Sequence, residues 1–181
     1  GKCRKGKRSH QAIDIGGVGD NSGLGTPIFA MGRAKVTLIG LPEEDSRQFG
    51  VPERGKGTVR RGYKGSLVLP KQERIPGYGR VTYFTKDYGS WRSGTVVCTR
   101  VLEGPLTGHE VRYMHLGAAH PTLKRGTIVE AGEEIGLMGG TAILDSAPHV
   151  HIDITDPDGA RVDVARLLGL PQAVGPCPSG Q

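Results

Sequence analysis

The sequence predicts an all-β single domain, built on an antiparallel β-sheet with long inserted loops and one short C-terminal helix. Three observations carry this. Among 181 residues, 30 are Gly and 12 are Pro, about 23% of the chain against a usual sum near 12%, which leaves little room for long regular helices. Short runs rich in β-branched and aromatic residues recur between those glycines. Leu, Ile, Val and Phe make up about 23% of the residues, above the roughly 20% below which chains tend to stay disordered. One modest core can form, and the length fits one domain.

Taken in order, the strand candidates begin with Ile13 to Ile15, where two isoleucines flank Asp14, and Pro27 to Ala30, which follows Gly25. Ala34 to Ile39 and Ser66 to Leu69 follow, and Arg80 to Thr85 carries Val81, Tyr83 and Phe84. Thr95 to Val101 is the most apolar run, Glu110 to Leu116 and Ile128 to Val129 come next, and His149 to Ile154 alternates strictly. The helix is expected over Val162 to Leu168, capped by Asp158 or Asp163 and stopped by Gly169 and Pro171. Residues 1–9 form a basic arm, 10–170 the domain with an insertion at about 40–77 rich in Gly, Pro and charge, and 171–181 a tail without periodicity.

No segment approaches the roughly 18 apolar residues a membrane helix requires; the longest run, Ile135 to Leu144, is interrupted by Gly136, Gly139, Gly140 and Thr141. The sequence opens at Gly1 with no charged-then-apolar leader, so a processed protein or an excised fragment is expected. The net charge of +6 is mostly local, since Lys2, Arg4, Lys5, Lys7 and Arg8 supply five of the charges. A nucleic-acid binder is disfavoured, because neither a recognition helix nor an aromatic-rich RNA motif accompanies that charge. Cys3, Cys98 and Cys177 contain no C-x-x-C pair, which excludes a cysteine zinc finger. Cys3 and Cys177, at opposite ends, are candidates for a disulfide, and Cys98 for a buried free thiol.

The histidines carry the chemistry. Two compact patterns stand out among the six: His10-x-x-x-Asp14, and Pro148-His149-Val150-His151-Ile152-Asp153-Ile154. Alternate strand residues share a face, so His149, His151 and Asp153 point one way while Val150, Ile152 and Ile154 enter the core. Neutral imidazole is a good zinc ligand, and a catalytic zinc takes three protein ligands and keeps one open position. Asp14 can add an oxygen ligand, projecting opposite Ile13 and Ile15. In a fully extended strand His10 and Asp14 would stand about 13 Å apart, too far to share an ion, so the chain between them must bend. His115 follows the apolar run Val111-Arg112-Tyr113-Met114 and is a further candidate. Asp153 is a candidate for orienting a ligating imidazole through its second nitrogen. His109 and His120 read as surface residues. Tyr78, Tyr83, Phe84, Tyr88 and Trp91 read as strand packing, with Tyr88 and Trp91 the candidates for a groove wall.

Together these segments resemble the lysostaphin-type (LytM-like) zinc endopeptidases of bacterial peptidoglycan. The matches stand in family order: His10-x-x-x-Asp14, Gly25-Thr26-Pro27-Ile28-x-Ala30, Gly77-Tyr78-Gly79-Arg80-Val81, Tyr113-Met114-His115-Leu116, Gly132-Glu133-Glu134-Ile135-Gly136 and Pro148-His149-Val150-His151-Ile152. The chain departs from the pattern at Ala12, Ala147 and Ile152, none of which is a ligand. The resemblance implies that His10, Asp14 and His151 hold one Zn²⁺ in a groove over the sheet and that His115 and His149 form the catalytic pair. It implies a monomeric endopeptidase, secreted or in the periplasm or cell envelope, that cuts stem or cross-bridge peptides of peptidoglycan through a metal-activated water. The alternative is a catalytically silent module of the same fold that binds the wall or activates a partner hydrolase.

Overall fold

A computed structural model describes residues 11–40, 72–83, 93–143 and 147–170, together with the backbone of 58–60 and 67–69. The β-branched runs form β1 (Ile13–Gly16), β2 (Pro27–Phe29), β3 (Ala34–Ile39), β4 (Thr58–Arg60), β5 (Leu67–Leu69) and β6 (Gln72–Ile75). Then come β7 (Gly79–Thr82), β8 (Thr95–Val101), β9 (Glu110–Ala119), β10 (Ile128–Val129), β11 (Glu134–Met138), β12 (His149–Thr155) and the helix α1 (Val164–Leu167). Eight strands make one antiparallel sheet in the order β1-β12-β9-β8-β3-β10, with β11 joining β9 to β2; β4–β5 and β6–β7 are separate two-stranded sheets.

One face of the large sheet is the core. Val36, Val97, Val111, Tyr113, Ile152 and Ile154 pack there against Val129, Ile135 and Val164 of α1. Asp163 caps α1, its carboxylate accepting from the Arg166 N–H at 3.0 Å, and Gly169 in the left-handed region (φ 64°) closes it. The Val164 N–H donates to the Gln11 carbonyl at 2.8 Å, which ties the helix to the chain entering β1.

The opposite face is polar at one end and apolar in the middle. Register aligns Asp14, His151 and Met114 in one row, and Asp153, Arg112, Cys98 and Leu38 in the next. Thr155, Glu110, Arg100 and Lys35 form a third. Cys98 is the buried free thiol the sequence suggests, whereas Cys3 and Cys177 lie outside the described residues. No helix among the described residues is long and apolar enough to cross a membrane.

Four differences from the sequence reading are instructive. The insertion at 40–77 contains β4, β5 and β6 rather than loop alone. β11 went unread because Gly136 looks like a turn; it is instead a close strand contact, where an added Cβ would sit 2.6 Å from the Ala118 carbonyl. The strand read at 80–85 is Gly79–Thr82, whereas β9 continues to Ala119. Ile15 is 48% exposed rather than buried, because β1 is the edge strand of the sheet.

Candidate metal centre

Each functional side chain has a local reason for its place. On β12 the alternation holds: Val150, Ile152 and Ile154 are buried, and His149 and His151 emerge on the opposite face. The antiparallel register of β1 sets Asp14 opposite His151. The two side chains meet at 2.7 Å, His151 Nδ1 donating to Asp14 Oδ1, and His149 Nε2 lies 3.7 Å from the same oxygen.

His115 arrives by a different device. Strict alternation would place it on the Tyr113 face, inside the core. Instead β9 is irregular here: its ladders with β8 and β11 both slip, and His115 sits in the left-handed region at φ 65°. Tyr113 and Leu116 both pack in the main core, while the His115 ring stands 5.1 Å from His149 and 5.9 Å from His151, centroid to centroid and steeply inclined. Such a backbone costs about 1–3 kcal/mol for a non-glycine residue and persists only where the surroundings enforce it.

Thr141 is what enforces it. Its buried hydroxyl donates to the Leu116 carbonyl at 2.8 Å and accepts from the Thr95 N–H at 2.9 Å. Its carbonyl accepts from His115 Nδ1 at 2.8 Å, and the His115 N–H donates to Ser93 at 2.8 Å. Gly94 (φ 62°) admits the threonine, since a Cβ there would lie 2.2 Å from Thr141 Oγ1.

The same logic fixes His149, whose Nδ1 donates to the Ala147 carbonyl at 2.8 Å. With Nδ1 committed to a carbonyl in both rings, Nε2 is left to accept a proton or a metal. Burial, then the neighbouring His149, pushes the His115 imidazole down to about 4, against smaller opposing contributions from the Thr141 carbonyl and Asp14. The ring is therefore neutral at neutral pH.

His115, His149 and His151 each bring a ring nitrogen within 4.8 Å of the others, an arrangement that could hold a metal ion. The donor set fits a borderline cation: imidazole nitrogens with a carboxylate oxygen, held by backbone carbonyls behind them. Bonds of about 2.0–2.1 Å in a tetrahedron place ligand atoms about 3.3 Å apart; Asp14 Oδ1 and His151 Nδ1 stand 2.7 Å apart, so the pair would open by about 0.6 Å as an ion replaced the proton between them.

Of the sequence candidates, Asp14, His115, His149 and His151 converge, and His10 lies outside the described residues. Asp153 does not orient an imidazole. It is buried and clasped by Arg112, with Nε donating to Oδ1 at 2.6 Å and Nη2 to Oδ2 at 3.0 Å, because β9 places Arg112 directly opposite it. His120 is half-buried, packing edge-on against Tyr78 at 5.3 Å and accepting from Thr122; His109 is likewise half-buried. Tyr78 and Tyr83 bond Glu134 and Glu73 at 2.6 and 2.9 Å, while Phe84, Tyr88 and Trp91 lie outside the described residues. Thr141 escaped the sequence reading as a site residue because a lone threonine after two glycines carries no motif.

No protein-family model matches the chain, and no curated protein matches it. Among solved structures it is similar to the catalytic domain of the antimicrobial peptidase lysostaphin from Staphylococcus simulans, with 17% identity over 88% of this chain and 79% of that one, TM-score 0.46. It is similar also to a variant catalytic domain of the prophage-encoded M23 protein EnpA from Enterococcus faecalis, at 18% identity over 90% of this chain and 85% of that one, TM-score 0.45. A zinc-containing peptidase from Vibrio cholerae shares 19% identity over 71% of this chain and 38% of that one, TM-score 0.33. Likeness at this level shows the fold alone.

Proposed function

We propose that this chain is a zinc-dependent endopeptidase that hydrolyses peptide bonds in peptidoglycan stems or cross-bridges, acting in the cell envelope or outside the cell. One observation carries the reading: two histidines of β12 and one at a strained bulge of β9 bring their ring nitrogens within 4.8 Å of one another, beside a carboxylate bonded to one of them. Half-buried imidazoles gathered this closely, with two Nδ1 atoms tied back to carbonyls, are arranged for chemistry rather than for packing.

In this reading His10, Asp14 and His151 hold the ion, and His115 and His149 do the proton transfer. Bound zinc would supply Lewis-acid polarisation of the scissile carbonyl and lower the pKa of a water towards about 7. The neutral Nε2 of His115 or His149 accepts the proton of the attacking water, and the resulting imidazolium donates it to the leaving amine. The carbonyls of Thr141 and Ala147 hold the two rings in the tautomer this requires and stabilise each as it becomes charged. The substrate class is what the resemblance of the ordered motifs to the lysostaphin-type endopeptidases implies.

Incubation of the protein with isolated peptidoglycan, followed by mass spectrometry of the soluble fragments, tests this. New amino termini should appear with zinc, vanish with a chelator and return on zinc addition. Zinc-loaded protein that releases no fragments from any wall chemotype would favour the silent, wall-binding alternative.

A further inference from the structure

Away from the histidines the same face of the sheet carries a concave feature. A pocket of ≈ 410 Å³ is lined by Lys35, Thr37, Arg100, Leu102 and Arg125, among others. Strand alternation puts Arg100 and Leu102 on the same face as Cys98 and, through the third register row, in line with Glu110 and Thr155. Four residues along β12 and two strand spacings separate this row from His151, on the order of 16 Å.

Its charge is unbalanced. Lys35 stands directly opposite Arg100 on the neighbouring strand, an arrangement of like charges that destabilises a sheet unless something compensates. Of the acids nearby, Glu103 and Glu130 are taken by Arg33 at 3.7 and 3.1 Å. Glu110 lies across from Arg100 in register, but among the described residues no salt bridge reaches Lys35, Arg100 or Arg125. Thr37, in the same wall, has a buried Oγ1 without a hydrogen-bond partner. Three exposed cations with no ion pair among the described residues thus gather in one wall, and such a cluster attracts anions.

We infer that this pocket binds the phosphate group of a phosphorylated saccharide or polyol. Two guanidinium forks suit a tetrahedral oxyanion with several acceptor oxygens, and the lysine adds a point charge. The volume is in the range of small-molecule sites rather than of a lone ion, and Leu102, 37% exposed, offers an apolar contact for ring or chain carbons. Among the described residues no aromatic side chain lines the pocket, whereas nucleic-acid grooves stack bases on such rings. A phosphate-bearing wall polymer held here would lie on the face that carries the histidines. The binding itself does not depend on the hydrolase reading.

The test titrates the full 181-residue chain with glycerol 1-phosphate, inorganic phosphate and glycerol, read by calorimetry and by amide chemical shifts at low and at physiological salt. Glycerol 1-phosphate should bind more tightly than inorganic phosphate and glycerol not at all, with shifts centred on Lys35, Arg100 and Arg125. The double variant Arg100→Gln with Arg125→Gln should weaken binding at least about tenfold. The double variant Arg80→Gln with Arg161→Gln, which removes the same charge from exposed positions elsewhere, should bind like the parent; thermal melts of both check folding. Equal losses in the two variants, unchanged binding in the first, or no binding of glycerol 1-phosphate would overturn the inference. So would duplex DNA that shifts the same amides at lower concentration.

Discussion

Asp14 and His151 are 137 residues apart in the chain, yet Oδ1 and Nδ1 lie 2.7 Å from one another across the β1–β12 ladder. An ion held there would clamp the edge strand β1 to its neighbour β12. Metal binding should therefore stabilise the fold: at zinc a hundredfold above its dissociation constant the gain is about 2.7 kcal/mol. For a chain of this size that raises Tm by about 5–10 °C. Differential scanning calorimetry with zinc and with a chelator should show the shift, and Asp14→Ala should abolish it.

Thr141 holds His115 in its left-handed backbone from both ends of its own residue, by carbonyl and by hydroxyl. Thr141→Val keeps the shape and leaves the Thr95 N–H and Leu116 carbonyl unpaired, a cost of about 1–3 kcal/mol. Turnover should fall further than stability because the His115 ring loses its setting. Thr141→Ser should restore both. Urea denaturation alongside hydrolysis rates checks this; a Val variant as active as the parent would contradict it.

The Arg112–Asp153 pair is asymmetric, with side chains 30% and 6% exposed. Removing Arg112 strands a buried carboxylate, whereas removing Asp153 leaves a guanidinium that water can reach. Arg112→Met should cost about 3 kcal/mol, near the lower end for a broken buried pair, and Asp153→Asn clearly less. Replacing both should recover part of the loss. Denaturant midpoints of the three variants decide the order.

Burial, then the charge of Glu110, pushes the Cys98 thiol up from 9.0 to about 12, with Arg112 opposing. The native thiol keeps its proton where the unfolded one has lost it, so this residue's contribution to stability is lost as pH rises from about 9 to about 12. At pH below 9 the native thiol should be inert. Peptide mapping after iodoacetamide should find Cys98 modified at least about tenfold faster in urea than in buffer; equal rates would contradict the burial.

The two histidines of β12 and Asp14 were legible in the sequence because period-two alternation is a property of any strand, and on β12 the buried Val150, Ile152 and Ile154 set the face opposite the histidines. The residues that assemble the site with them were not. His115 violates alternation through a bulge whose cause, Thr141, is remote in sequence and reveals itself only as hydrogen bonds to Thr95, Leu116 and His115. Asp153 sat on the expected face, but its partner depended on the β9 register that brings Arg112 opposite, which local pattern does not determine. β11 was hidden for a related reason: Gly136 is there for a strand approach that needs the neighbour's position to be understood.

Zinc content measured together with muropeptide release, in His115→Ala, His149→Ala, His151→Ala and Asp14→Ala, tests the central claim most directly. The Asp14 and His151 variants should lose zinc and hydrolysis together. Those of His115 and His149 should keep zinc and lose hydrolysis. Four variants that retain zinc and release fragments at the parent's rate would contradict the account.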